Sequence, residues 1–300
     1  MSGGSESGAV RIGTSGWAYP EWRPAFYPRG TRREDFLATY ATRLDACEVN
    51  GTFHRLQRPE VTARWADAVG DDFRFAVKVH RGIVGAREDR PELRARFLES
   101  IAPLRPRLGA LLVQLDPRRR RDDEGLRRML DVLGGETPAA VELAHESWSD
   151  PVVDGIIRDA GATRCLTERD GGVPDALPPG PMGYVRLRAD RYEDPARHAW
   201  RSLLVREAAS RPVLAFARHK DVPPDDPHVG LAFALVGPLE LQGLSAAASI
   251  TAILEFFVLT SLLRGRIGGF DRRGLGDFGV RLGLATAVMV QVMLLMRLLL

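Results

Sequence analysis

Short apolar runs recur along the first two thirds of the chain, each followed by a segment with helical spacing. The strand-like runs are VRIGTS (10–15), ACEVN (46–50), FRFAVKVH (73–80), ALLVQL (110–115), AAVELA (139–144), TRCLT (163–167), YVRLR (184–188) and VLAFAR (213–218). Between them, residues 31–44 place Phe36, Leu37, Tyr40 and Leu44 on one helical face. Segments 59–69, 90–104, 123–133, 150–161 and 195–209 repeat that period, and Pro59 suits a first helical turn. Strands alternating with helices predict an α/β fold, specifically a (β/α)₈ TIM barrel over residues 10–236. A doubly wound sheet is the competitor, but no G-x-G-x-x-G loop follows a strand.

Alternation within the strands predicts which side chains face the helices. That set is Val10, Ile12, Cys47, Val49, Phe75, Val77, Leu111, Val113, Leu115, Val141, Leu143, Val185, Leu187, Leu214 and Phe216. The opposite parity points into the barrel and is polar: Arg11, Glu48, Asn50, Lys78, Gln114, Glu142, Tyr184, Arg186, Arg188 and His219. Several of these stand at strand C-termini, where barrels of this kind build their sites. A lattice of alternating charges that only closes the barrel accounts for the same pattern.

After Gly237 the chain changes character. Residues 244–263 carry a single charge, Glu255, and 282–296 form a second apolar run extended by RLLL to residue 300. About 20 apolar residues span a bilayer core, so 237–300 reads as a two-helix hydrophobic hairpin with membrane contact through 244–263 and 282–300. Its loop, Arg264–Arg281, is rich in Arg and prefers the cytoplasmic side. A barrel without a secretory signal is expected in the cytoplasm, which would put that loop outside. The expected outcome is a poorly inserted anchor, or a joined reading frame. Residues 1–9 are a flexible lead-in without a signal-like apolar stretch.

Composition alters this picture little. The net charge of +3 is too small to argue for nucleic acid. Cys47 and Cys165 lack metal-ligand spacing and read as buried reduced thiols. Lysine is scarce, occurring only at 78 and 220. Lys78 reads as the ion-pair partner of Glu48, with a Schiff-base amine as the alternative. Glu48 or Glu142 reads as a general base. The run Arg118–Arg121 reads as a solvated loop, with anionic lipid or nucleic acid as the alternative. Trp17, Trp22, Phe26, Tyr27 and Phe53 read equally as an aromatic wall or as packing.

The blocks IGTSGWAYPEWRPAFYP, EVNGTFHRL, FRFAVKVHRGI, LLVQLDP, VELAHESW and YVRLR, in this order, resemble the DUF72 or YecE-like family over about residues 10–235. The resemblance implies a TIM barrel of unestablished activity, related to sugar isomerases. The chain departs from the family pattern at His54, Ala144 and Arg188–Ala189, where Tyr, Arg and His-Gly are usual. Residues 239–300 resemble a late transmembrane stretch of the MurJ/MviN lipid II flippase family. Residues and resemblance together nominate Glu48, Lys78, Glu142 and His145 as catalytic candidates. Ser15, Trp17, Asn50, Gln114, Arg186 and His219 are the substrate-binding candidates. Glu48, Glu142 and His145 are the candidate ligands for a divalent metal, with Glu168 beside Thr167 at a further strand end, a thin set for hard-cation ligation; the sequence requires no cofactor. The basic strand ends, including His80, Arg81 and Arg218, predict an anionic, sugar-phosphate-like ligand. A nucleic-acid-processing barrel and a non-catalytic membrane-tethered module are the competing functions.

Overall fold

The computed structural model describes residues 9–218 except 87, 134–136 and 190–191. His219 and the predicted hairpin lie outside the described residues. Among the described residues no helix is long and apolar enough to cross a membrane.

Nine parallel strand segments form one sheet. They are β1 (Val10–Thr14), β2 (Ala46–Val49), β3 (Arg74–Lys78), β4 (Leu108–Gln114), β5 (Ala139–Glu142), β6 (Thr163–Arg164), β7 (Leu166–Glu168), β8 (Gly183–Leu187) and β9 (Val213–Ala217). The order is β6-β5-β4-β3-β2-β1-β9-β8-β7. The two ends of that order, β6 and β7, are separated in the chain by Cys165 alone, whose N–H donates to Val141 O at 2.8 Å. They are halves of one strand that changes neighbours midway. The ring therefore closes through the chain itself, and the eight strand runs of the sequence each find their place.

The helices are α1 (Phe36–Ala41), α2 (Pro59–Asp67), α3 (Arg81–Val84), α4 (Pro91–Ile101), α5 (Asp123–Leu133), α6 (Pro151–Asp159) and α7 (Asp194–Ala208). Proline opens α2, α4 and α6, where its missing N–H costs nothing. Asp150 caps α6 by accepting from Val152 N at 2.8 Å. The segment expected as one helix over 31–44 is shorter, a 3₁₀ turn at Arg33–Asp35 leading into α1.

Parity holds for most strands. Ile12, Cys47, Val49, Phe75, Val77, Leu111, Val113, Val141, Val185 and Leu187 join the core between sheet and helices. It fails for β9. Leu214 and Phe216 sit inside the barrel with Ala46, Ala76, Ala140, Cys165 and Tyr184, while Val213, Ala215 and Ala217 face the helices. The run VLAFA is apolar at both parities, so hydrophobicity did not discriminate. Bulk decides: alanines on β2, β3, β4 and β5 leave room in the interior that Tyr184 and Phe216 fill. Arg11 also departs from the expected ring. It lies at the opposite, N-terminal end of the barrel, donating to Asp72 O.

Gly13 sets the spacing of β1 and β2. A Cβ there would stand 1.9 Å from Ala46 O, its register partner. Gly13→Val is expected to destabilise the barrel beyond the roughly 1–3 kcal/mol typical of overpacking, measured by urea unfolding; a near-neutral result would contradict this packing. Residues 1–236 expressed alone are expected to unfold in one cooperative transition. A non-cooperative melt would show that the barrel core needs residues beyond 236.

Candidate functional site

The apolar layer inside the barrel is a floor. Two residues further along each strand, on the same face, the interior turns polar. Ala46 is followed by Glu48, Ala76 by Lys78, Leu112 by Gln114, Ala140 by Glu142, Cys165 by Thr167 and Tyr184 by Arg186. The C-terminal mouth of the barrel is therefore lined by side chains that backbone alternation alone brings together.

Arg186 joins the two carboxylates. Its Nη2 donates to Glu48 Oε1 at 2.9 Å and its Nη1 donates to Glu142 Oε2. Glu48 is fully buried. It also accepts from Ser15 Oγ at 2.8 Å, Asn50 Nδ2 at 3.1 Å, the Tyr184 hydroxyl at 3.0 Å and Arg188 Nη2 at 3.2 Å. Glu142 accepts from Gln114 Nε2 at 2.6 Å and Thr167 Oγ1 at 2.8 Å. Ser15 is held by the turn behind it. Gly16 takes φ +106°, and the Tyr19 hydroxyl donates to Ser15 O at 2.7 Å. A side chain on Gly16 would meet that hydroxyl at 2.3 Å.

Electrostatics follow from these contacts. Burial pushes the Glu48 carboxyl up, but Arg186, Arg188 and the hydrogen bonds from Arg186 and Ser15 outweigh it and hold the pKa at about 2. Two carboxylates are matched by two guanidiniums, and Lys78 is the surplus cation. The expected Lys78–Glu48 ion pair does not form. Among the described residues no carboxylate lies within ion-pair distance of Lys78, because the Glu48 oxygens are already filled by guanidinium, amide and hydroxyl donors. The Lys78 Nζ lies instead over the Phe53 ring, 4.0 Å from its centroid. Burial, then the neighbouring Arg186, pushes the Lys78 pKa down. A cleft of about 590 Å³ opens beside it, lined by Phe53, Gln114, Arg81, Asp116 and Arg119 among others.

The other nominated residues stand apart from this network. His145 caps the 3₁₀ turn Glu146–Trp148, its Nδ1 accepting from Ser147 N at 3.1 Å, which leaves Nε2 as the proton-bearing nitrogen when the ring is neutral. His80 caps α3 in the same way, accepting from Gly82 N at 3.0 Å. Trp17 packs edge-on against Trp65 at 5.1 Å and against Phe75. Trp22, Phe26 and Tyr27 are buried core, with Tyr27 stacked on Phe36 at 4.1 Å, so they are packing and not a ligand wall. Arg188 and Thr167, absent from the nominated set, belong to the network. Alternation along YVRLR and TRCLT is the signal that carries both. Cys47 and Cys165 are buried free thiols, and burial pushes both well above the ordinary thiol value. Among the described residues no three of His, Cys, Asp and Glu converge as metal ligands.

Because the folded pKa of Glu48 lies below its ordinary 4.5, its contribution to stability is complete above about 4.5 and is lost as pH falls toward about 2. Over that interval the wild type is expected to lose more stability than Glu48→Gln, followed by urea unfolding; equal losses would contradict the pairing. At pH 7, Glu48→Ala is expected to cost about 3–5 kcal/mol, because it strands the buried Arg188 guanidinium and leaves Arg186 with Glu142 alone.

Comparisons with known proteins address the barrel. The chain is 32% identical over 142 residues to the UPF0759 protein YecE of Escherichia coli K12, covering 46% of this chain and 50% of that one. It thus spans about half the length of the curated relatives it matches. A DUF72 family protein of Enterococcus faecalis superposes with a TM-score of 0.63 at 19% identity, covering 76% of this chain and 94% of that one. One from Thermotoga maritima gives 0.63 at 19%, covering 77% and 99%. Both show the fold. The flippase resemblance of residues 239–300 finds no support in these matches. A family model described as "Protein of unknown function DUF72" matches residues 11–235, and the chain belongs to that family.

Proposed function

We propose that the barrel mouth binds an anionic, sugar-phosphate-like small molecule. The observation that carries this reading is the charge balance of the polar layer. Glu48 and Glu142 are consumed by Arg186 and Arg188, and the remaining cation, Lys78, has no carboxylate partner among the described residues. A half-buried ammonium without a counter-ion is costly, and an anionic ligand repays that cost. The adjoining cleft adds Arg81, which is exposed, and Gln114, whose amide also bonds Glu142. A lyase, an isomerase and a hydrolase all fit this arrangement.

The nucleic-acid reading draws little support from Arg118–Arg121. Arg118 pairs with Asp116 at 3.0 Å, and Arg121 pairs with Asp123 and Asp150, both at 2.6 Å. Arg119 donates to Val84 O at 3.0 Å. Most of the run is spent within its own loop.

The test is ligand-dependent thermal stabilisation by inorganic phosphate and by ribose 5-phosphate. Lys78→Met is expected to remain folded and to lose about ten- to a hundred-fold in affinity, the worth of one charge-assisted contact. Wild-type protein that responds to neither probe, or Lys78→Met binding as tightly as wild type, would refute the reading. Arg186→Met is expected to unfold, since it bridges both carboxylates.

A further inference from the structure

The chain carries 40 arginines and only two lysines, Lys78 and Lys220. Wherever it needs a fixed positive charge it uses guanidinium, including inside the barrel at Arg186 and Arg188. An amine at position 78 therefore supplies something that guanidinium does not. The chemical difference is that an amine gives up a proton within reach of neutral pH and becomes a nucleophile, whereas guanidinium stays charged. Resting on the anion-binding reading above, we propose that Lys78 forms an iminium with the carbonyl carbon of a phosphorylated aldehyde or ketone held at the barrel mouth.

The geometry supports this on three counts. Lys78 is the one charged member of the polar layer without a carboxylate partner among the described residues, so no ion pair must break before its amine reacts. Its Nζ rests on the face of Phe53, which shields one side from water and favours a cation there. The cleft lined by Phe53 and Gln114 lies alongside, sharing with the Lys78 amine the Phe53 ring it rests on. Against that ring, burial and Arg186 lower the amine's proton affinity, while the ring also accommodates the positive charge of an iminium.

The step balances within the site. The ammonium releases one proton, and the amine lone pair forms a C–N bond to the carbonyl carbon. The carbonyl oxygen takes up that proton and a second one from nitrogen, and the C–O bond breaks to release water. Ammonium and carbonyl become iminium and water. The nitrogen carries one positive charge before and after, so the surrounding charge balance is kept. The bound iminium then withdraws electrons from the adjacent carbon, which is the activation that lyase and isomerase chemistry both need.

The test uses the full chain with dihydroxyacetone phosphate and sodium cyanoborohydride, read by intact mass and peptide mapping. The scarcity of lysine leaves only Lys78, Lys220 and the α-amine as competing amines. The expected result is one reduced adduct per chain at Lys78, forming at least ten-fold faster than at either other amine and slowed by inorganic phosphate. Lys78→Arg is expected to lose the adduct; Lys220→Arg is expected to keep both the adduct and the phosphate-dependent stabilisation. Phosphate stabilisation without a Lys78 adduct, or labelling of the three amines at equal rates, overturns the covalent inference and leaves anion binding standing. A Lys78 adduct with unphosphorylated dihydroxyacetone, unaffected by phosphate, keeps the covalent inference and removes the anion reading. No adduct and no stabilisation removes both.

Discussion

The bridge from Arg186 to Glu48 and Glu142 is the contact on which the barrel mouth depends. β8 carries the guanidinium, while β2 and β5 carry the carboxylates, so one planar fork ties strands on separate sides of the ring. Ionised groups buried above an apolar floor are tolerable only when matched and hydrogen-bonded. Here the match extends outward through Ser15, Asn50, Tyr184 and Arg188 on one carboxylate and through Gln114 and Thr167 on the other. The result is a polar layer in which both carboxylates are ion-paired and hydrogen-bonded.

That pairing reassigns the chemistry. Glu48 and Glu142 read in sequence as general bases, yet Glu48, held ionised at about 2, is a poor proton acceptor near neutral pH. Its stronger role is positioning Arg186 and Arg188. Lys78 is left as the group with chemical freedom, between the guanidinium that disfavours its proton and the ring of Phe53 that accepts its charge. The same guanidiniums that build the lattice thus make the remaining amine both anion-seeking and more readily deprotonated.

Much of this was legible in sequence. The run ACEVN betrays an inward carboxylate because strand parity is rigid, and the same rule finds Lys78, Gln114, Glu142 and Arg186. The rule fails for VLAFA because both faces are apolar, and volume within the ring, which no single strand encodes, settles the facing. The partner of Lys78 was illegible for a related reason. Pairing among Glu48, Lys78, Arg186 and Arg188 is a competition decided by reach across the barrel, and the planar fork of arginine wins it. The aromatic run around Trp22 and Tyr27 gave no clue to facing, and only the stack on Phe36 shows it to be core. At position 188 the departure from the family pattern brings a guanidinium onto Glu48, a contact that the resemblance did not carry.

The state of the Lys78 amine tests the account most directly. With only two lysines in the chain, selective isotopic labelling yields two side-chain amine signals by NMR, assigned with Lys220→Arg. The account predicts that Lys78 loses its proton below the ordinary lysine value of about 10.4, and that saturating inorganic phosphate shifts that titration upward. A Lys78 amine that titrates at or above the ordinary value, and does not respond to phosphate, would contradict it.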